Sequence, residues 1–410
     1  MTSLALRLRS KQTLWLAGLS MALLLALLPF SSYVVSVPLI QQEWQISNTE
    51  SGFIFSIYLI GYALSSLIFV PLTDKFSTRR MVLAGVLVLT AAHILFALFA
   101  RTVWTASLLR FIAGTGHALA YTPGIQLVSQ RFAAHKRGTA VGIFVGFGYA
   151  GTTLSYSFMG LLLTATESWH TAYLWTAAVS LLSLPILLAL PQPTQEQPGK
   201  STRGRLDITV LRDKPLAIMI LAYALHTAEL YLARLWLPLL LGTTLIANGR
   251  APLEAAAQAG TLSGFMFMMG IVGAFAGGLA SDYLGRYKGA AVIFAGSGLC
   301  SFIAGWLIGL PPLWLIILGF VYGLMTAADS AIYVTAVIEL APPERTGSAQ
   351  AIQAFFGFLV GAVIPTLAGS ILDANPNTTA WVWAFSFNGL LAVIAVASLL
   401  WLHHISPTHS

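Results

Sequence analysis

Twelve stretches of this chain are apolar for about twenty residues at a time, and this limits the possible fold more than any other feature. A bilayer core of roughly 30 Å needs about 20 apolar helical residues to cross it. The runs fall at 13–38, 50–72, 81–100, 103–127, 138–163, 171–190, 215–241, 259–280, 289–309, 312–337, 345–371 and 380–402. Only 9% of the residues are charged, against about 25% in a soluble protein, so the chain cannot clothe itself in a polar surface. The expected class is an all-α polytopic membrane protein with twelve transmembrane helices, with the lipid bilayer as its first partner. The opening MTSLALRLRSKQTLWLAGLSMALLLALLP has the basic start and apolar run of a secretory signal but no small-residue cleavage site. It reads as a retained first span, with a cleaved signal as the alternative.

The basic residues orient these spans. Seventeen of the 21 Lys and Arg fall on one side: Arg7, Arg9 and Lys11; Lys75, Arg79 and Arg80; Arg131, Lys136 and Arg137; Lys200, Arg203, Arg205, Arg212 and Lys214; Arg286 and Lys288; and Arg345. The other side holds Arg101 and Arg250, while Arg110 and Arg234 lie inside spans. By the positive-inside rule both termini are cytoplasmic. The net charge of +7 therefore follows from topology and is not a nucleic-acid signal. Connections are short except for PQPTQEQPGKSTRGRLDITVLRDK at 191–214. That linker divides the chain into an N-terminal six-helix unit, 1–190, and a C-terminal one, 215–410. A single cysteine, Cys300, forms no internal disulfide and no cysteine metal site.

The two halves superimpose with a shift of 208 or 209 residues. Pro29 then falls on Pro238, Asp74 on Asp282, Gly114 on Gly323 and Gly138 on Gly347. The turns VPLTDKFSTRR (70–80) and GLASDYLGRYK (278–288) resemble the G-x-x-x-D-R-x-G-R-R loop signature of the major facilitator superfamily. The second copy keeps Gly278, Asp282, Gly285 and Arg286; the first keeps Asp74, Lys75, Arg79 and Arg80, with Val70 and Ser77 where glycines are usual. LLRFIAGTGHA (108–118) resembles the family's R-x-x-x-G-x-G signature through Arg110, Gly114 and Gly116, and PPERTG (342–347) its E-R-x-G motif. HTAEL in span seven and RFIAGTGHALAYTPG in span four look like a bacterial branch near the nitrate/nitrite and cyanate permeases. The arginines which that branch places in spans two and eight are missing here. The resemblance implies two pseudo-symmetric six-helix bundles, a monomer in the cell inner membrane, and transport of a small-molecule substrate bound near mid-membrane between the bundles. It also implies that the Asp and Arg of the two turns (Asp74, Lys75, Arg79, Arg80, Asp282, Gly285, Arg286) latch one conformation through charge-assisted hydrogen bonds. The plainer alternative is that they only orient the helices.

A few ionisable groups remain deep in the spans: His93, Arg110, His117, His226, Glu229, Arg234 and Asp329. An ionised side chain at mid-bilayer costs about 2.5–3.5 kcal/mol even on the lenient insertion scale, so such groups face the interior and draw suspicion of function. Glu229 sits roughly 21 Å along span seven, with His226 three residues earlier on the same face. We expect Glu229, assisted by His226 and with Asp329 as second choice, to exchange the coupling proton. Arg110, His117 and Tyr121 share a face of span four. With Arg234 and Tyr33 they are the expected substrate contacts; Arg110 could instead stabilise a deprotonated acid, and the resemblance favours a proton-linked or structural role for it. Pro29 and Pro238 each remove a backbone hydrogen bond near the outer ends of spans one and seven, allowing a gate to bend there. Gly114 and Gly116 would serve close packing. The alternative throughout is a static buried network joining spans four, seven and ten.

GFGYAG (146–151) matches a dinucleotide fingerprint but lies inside an apolar helix without the required strand. Gly138, Gly142 and Gly146 and, on the next register, Gly273 and Gly277 read instead as small faces for close helix packing. HHISPTH (403–409) reads as an inert tail, and Met266, Met268 and Met269 as packing. No phosphate-binding loop, metal spacing or converging nucleophile is present, so neither an enzyme nor a cofactor is expected. The leading expectation is a secondary active transporter moving a small solute, such as an organic anion, by proton-coupled symport and alternating access. A drug or metabolite efflux antiporter and a non-transporting sensor on the same scaffold are the alternatives. Span five has the glycines of drug exporters without their G-P dipeptide, which favours uptake.

Overall fold

The computed structural model describes residues 3–69, 76–191, 207–342, 345–375 and 377–405. Two of the expected latch residues, Asp74 and Lys75, lie outside the described residues, as does most of the linker between the halves. The first half contains α1 (Ser3–Leu27), α2 (Ser32–Trp44), α3 (Asn48–Phe69), α4 (Thr78–Phe99), α5 (Val103–Arg131), α6 (Ala134–Thr166), α7 (Trp169–Ser180) and α8 (Ser183–Ala189). The second contains α9 (Lys214–Ala247), α10 (Pro252–Leu284), α11 (Arg286–Ala304), α12 (Pro312–Ala328), α13 (Ser330–Leu340), α14 (Thr346–Ala374) and α15 (Thr379–Ile405).

These fifteen helices make twelve crossings because three crossings are broken. Pro29 falls in the turn between α1 and α2. A second break separates α7 from α8, and a third, at Asp329, separates α12 from α13. Pro238, the repeat partner of Pro29, is instead carried inside the continuous helix α9. Among the described residues ten segments are long and apolar enough to span by composition alone. The other two crossings are α5 and α6, 29 and 33 residues long. Both are diluted by Gly, Ser, Thr, His and Arg, yet turns of two or three residues join them to α4, to each other and to α7, which leaves them no other course. The outer surface is apolar, and Trp104, Trp306, Trp314 and Trp383 stand exposed near one end of the helices, where an aromatic belt meets the membrane surface.

Each half packs as a bundle by the same plan: α3 lies on α5 as α10 lies on α12, and α4 on α5 as α11 on α12. The repeat is visible at single residues. A Cβ added at Gly114 would strike the carbonyl of Tyr58, and one added at Gly323 would strike that of Met266, 208 residues on. Gly116 fits the other side of α5 against α4, where a Cβ would come 2.5 Å from Leu89 N. The bundles meet along two seams, α3 with α14 and α6 with α10.

The seams are closed at one end only. At the face away from the chain termini, called the far face below, Gly160 admits α10 so closely that an added Cβ would lie 2.5 Å from Ala257 O, and Gly52 admits α14 to 2.6 Å from Pro365 O. Deeper in, Tyr149 Oη on α6 donates to Phe267 O on α10 at 3.0 Å, and the Tyr62 and Phe358 rings meet at 4.3 Å between α3 and α14. Beyond that level the bundles part. Gly146, Gly142 and Gly138 continue the stripe of α6 that carries Gly160, Ser157 and Tyr149, since steps of three, four or seven residues return to one helix face. Among the described residues a Cβ at any of the three would meet nothing within 4 Å, and the same holds at Gly347 on α14. The expected packing face is therefore bare in this conformation. A crevice opens toward the face bearing the termini.

Candidate functional site

Buried polar side chains form three groups, one in each bundle and one between them. In the first bundle Arg110, 1% exposed, donates from Nη1 to Phe30 O at 3.2 Å, where the chain turns from α1 to α2. Its guanidinium carbon stands 4.4 Å from the Tyr58 ring centre, 5.2 Å from that of Tyr33, and 5.9 and 6.0 Å from those of Phe55 and Phe30. Rings so placed stabilise a cation by about 0.5–2 kcal/mol each. They supply no negative charge, and the Tyr173 hydroxyl, which also interacts with Arg110, is neutral too; Arg110 Nε and Nη2 make no close hydrogen bond among the described residues. The Tyr33 hydroxyl is engaged on Ser51 O at 2.9 Å, while Tyr58 Oη and His117 Nδ1 are 3.0 Å apart. His117 and Tyr121 are partly exposed on the same face of α5. His93 pairs with the Tyr173 hydroxyl at 2.9 Å behind this group.

Arg234 occupies the join between bundles. Its guanidinium carbon lies 5.3 Å from the Tyr149 ring of α6 and 5.8 Å from that of Tyr231, and Tyr156 of α6 donates to its main-chain carbonyl at 2.6 Å. Among the described residues no carboxylate comes within ion-pair distance of Arg110 or Arg234. The two arginine cages share a chain of rings, since Phe55 beside Arg110 lies 6.2 Å from Tyr231 beside Arg234.

The acidic group is elsewhere. Glu229 is fully buried, and its Oε2 accepts from Ser297 Oγ of α11 at 2.8 Å, with the Tyr322 hydroxyl also interacting with the carboxylate. Helix α11 packs only within the second bundle, so Glu229 faces the interior of that bundle. Five residues along an α-helix turn the side chain by about 140°, which is why Arg234 reaches the interface and Glu229 does not. His226 Nδ1 lies 3.0 Å from Asp329 Oδ1, and its Nε2 is 2.9 Å from Ser330 Oγ, both partners sitting at the α12–α13 break. Asn388 of α15 donates to Ser301 Oγ at 3.0 Å and to the Tyr322 hydroxyl at 3.2 Å, closing the group from behind. The residues expected to line one central cavity are thus divided: Arg110, Tyr33, His117 and Tyr121 in the first bundle, Arg234 between bundles, and Glu229, His226 and Asp329 inside the second.

At the face bearing the termini, Arg286 donates from Nη1 to Asp282 Oδ1 at 2.8 Å and from Nη2 to Glu339 Oε1 at 3.0 Å, tying the α10–α11 turn to the end of α13. Gly285 makes that turn at φ +81°, a region glycine enters without a Cβ clash. In the first bundle Arg79 Nη2 donates to the carbonyls of Leu187 and Leu188 at 3.0 and 3.2 Å, completing the otherwise unserved C-terminal end of α8. Arg80 is exposed. These bonds run to neighbouring helix ends, and each stays within its own bundle in this conformation.

Sequence reasoning did not pick out Tyr58, Tyr149, Tyr156, Tyr231, Ser297, Asn388 or Glu339. Tyr149 lies within GFGYAG, where the glycines drew attention and the tyrosine did not. Ser297 and Asn388 carry no charge and give no signal until their helices are packed.

The sequence profile of the Major Facilitator Superfamily matches residues 19–306 and 252–410. The benzoate transport protein of Acinetobacter baylyi is 30% identical over 164 residues, a match limited to 39% of this chain and 35% of that one. The hexuronate transporter of Bacillus subtilis is 24% identical over 397 residues, covering 90% of this chain and 89% of that one. Among solved structures, a bacterial homologue of the human lysosomal transporter Spinster, in an inward-facing and unoccupied conformation, superimposes with a TM-score of 0.75 at 15% identity, covering 96% of this chain and 97% of that one. With twelve crossings in two related bundles and a profile match along nearly its whole length, the chain belongs to the Major Facilitator Superfamily and is a secondary transporter, not an enzyme.

Proposed function

We propose that the protein carries a small organic carboxylate across the bacterial inner membrane by proton-coupled symport, working as a monomer with units 1–190 and 215–410 rocking about the linker. The observation that carries this reading is the pair of buried arginines that meet no carboxylate among the described residues: Arg110, 1% exposed, and Arg234, 6% exposed. Buried cations call for a counter-charge, and a carboxylate solute brings one. Relatives named for benzoate and hexuronate transport agree with that chemistry. The basic residues concentrated on the face bearing the termini support a cytoplasmic position for it. In that orientation the conformation described is open inward.

Proton coupling rests on the acidic group of the second bundle. Helix α9 holds Glu229 on one side and Arg234 on the other, so a change in how Glu229 sits against Ser297 moves the arginine at the bundle interface. His226 and Asp329 act at the α12–α13 break in the same way. Glu229→Gln keeps a hydrogen-bonding partner for Ser297 and removes the titrating proton. In proteoliposomes it is expected to lose accumulation driven by a pH gradient while retaining solute exchange. Accumulation by the variant that follows the pH gradient as in the parent, at matched protein content, removes Glu229 from the coupling role.

A further inference from the structure

At the far face a carboxylate of the second bundle completes the start of a helix in the first. The first turn of α3 has its own capping box: Glu50 Oε2 accepts from Ser47 N at 2.8 Å, and Ser47 Oγ accepts from Glu50 N at 3.2 Å. That box leaves the N–H groups of Asn48 and Thr49 unserved, as helix starts do. Both are taken by Asp373, in the last turn of α14 and 324 or 325 residues away in the chain. Asp373 Oδ1 accepts from Asn48 N at 3.0 Å and Asn48 Nδ2 at 2.9 Å; Oδ2 accepts from Thr49 N at 2.8 Å and Thr49 Oγ1 at 2.6 Å. Four donors converge on one carboxylate at the positive end of a helix dipole.

The surrounding contacts admit little slack. A Cβ at Gly369, one turn before Asp373, would press on Asn48 O, and one at Gly52 would lie 2.9 Å from Thr366 Cα. One turn further in, the hydroxyls of Ser56 and Thr366 are 2.9 Å apart. A carboxylate–arginine pair on this face, Arg250 with Glu254 at 2.6 Å, joins two residues of one bundle and is indifferent to how the bundles sit.

We infer that Asp373 is a clasp whose bonds to the start of α3 hold the far side of the transporter shut, and that releasing it is a required step in opening that side. The clasp is local to two helix ends and does not depend on which solute or ion is carried. When it opens, the two α3 N–H groups and the carboxylate pass to water, so the barrier is finite and the step reversible. Asp373 is a positioning residue acting through α3 and α14 and has no contact with the candidate substrate groups.

The test uses the full chain with Cys300→Ser and a single reporter, Ser56→Cys, at a seam position only 2% exposed. The reporter is labelled from the far side by a membrane-impermeant maleimide in oriented proteoliposomes. In the parent, labelling is slow. Asp373→Ala is expected to raise its rate roughly tenfold, the scale of one net charge-assisted interaction, and Thr49→Val to raise it by a smaller factor. Glu254→Gln is expected to leave it unchanged. If Asp373→Ala does not fold, a rise in Thr49→Val with no rise in Glu254→Gln supports the clasp. Unchanged labelling in the folded Asp373 and Thr49 variants overturns it, and so does an equal rise in Glu254→Gln. Solute specificity and pH-gradient dependence are read separately, so failure here leaves the proposed function standing, and the reverse also holds.

Discussion

Replacing Gly138, Gly142 and Gly146 together by alanine tests whether the bare stripe of α6 closes on the other bundle during the cycle. In the conformation described, a Cβ at each position meets nothing within 4 Å, so the three methyl groups enter open space. Alanine is also the better helix former, by about 0.8–1 kcal/mol per residue, so thermal stability is expected to hold or rise. Nearer the far face the same stripe shows what closure demands, since a Cβ at Gly160 would stand 2.5 Å from Ala257 O and 2.7 Å from Thr261 N. Overpacking of this kind costs about 1–3 kcal/mol per site. At about 1 kcal/mol each, three methyl groups disfavour the closed seam by about 3 kcal/mol, which is more than a hundredfold in its population. Turnover in proteoliposomes should therefore collapse in the triple alanine variant, while its melting temperature in detergent does not fall. Gly160→Ala should do the opposite to stability, lowering the melting temperature because it strains the seam already formed. Full turnover in the triple variant, or a loss of stability matching that of Gly160→Ala, refutes the reasoning.

Three further outcomes follow from particular contacts. Ser297→Ala removes the 2.8 Å hydrogen bond to buried Glu229 and is expected to cost about 1–3 kcal/mol; the loss should be much smaller when made in a Glu229→Leu background, as a double-mutant cycle by thermal unfolding would show. Glu339→Gln weakens the Arg286 clip, but with Glu339 half exposed the effect on unfolding should stay under about 1 kcal/mol, whereas Arg286→Ala also frees Asp282 and should exceed it. Asp207 accepts from the Thr209 hydroxyl and backbone N–H, bonds that hold its carboxyl below the ordinary range, with Arg345 a weaker contributor. Because the folded value is the lower one, this contribution is full above the unfolded carboxylate value and fades as pH falls through the folded one; the melting-temperature gap between parent and Asp207→Asn should be constant near neutrality and shrink below about pH 4.

Much of the fold was legible because membrane crossing is written in composition. Runs of about twenty apolar residues, the one-sided lysines and arginines, and the shift relating Gly114 to Gly323 were enough to expect twelve helices in two related bundles. The breaks were harder to read. Pro29 breaks its crossing, yet the equivalent Pro238 is carried inside a continuous helix although both lie among buried residues. The individual charged residues were also visible, since each is costly in lipid. How they associate was not: one helix, α9, presents Arg234 to Tyr149 and Glu229 to Ser297, and periodicity alone does not say which face meets which neighbour. Asp373 stands at the end of an apolar run, where a carboxylate looks like an ordinary boundary residue. Its role depends on a helix start more than three hundred residues away. The glycine stripe of α6 was read correctly as small but not as vacant, since a sequence records no conformation.

The carboxylate reading is tested most directly by flux into proteoliposomes holding the purified protein. Radiolabelled benzoate and a hexuronate are offered under an imposed pH gradient, with nucleoside and organic-cation probes alongside. Saturable uptake of a carboxylate is expected, abolished in Arg110→Gln, with little uptake of the neutral or cationic probes. Uptake of a cation that survives in Arg110→Gln, or carboxylate uptake indifferent to both Arg110→Gln and Arg234→Gln, contradicts that reading.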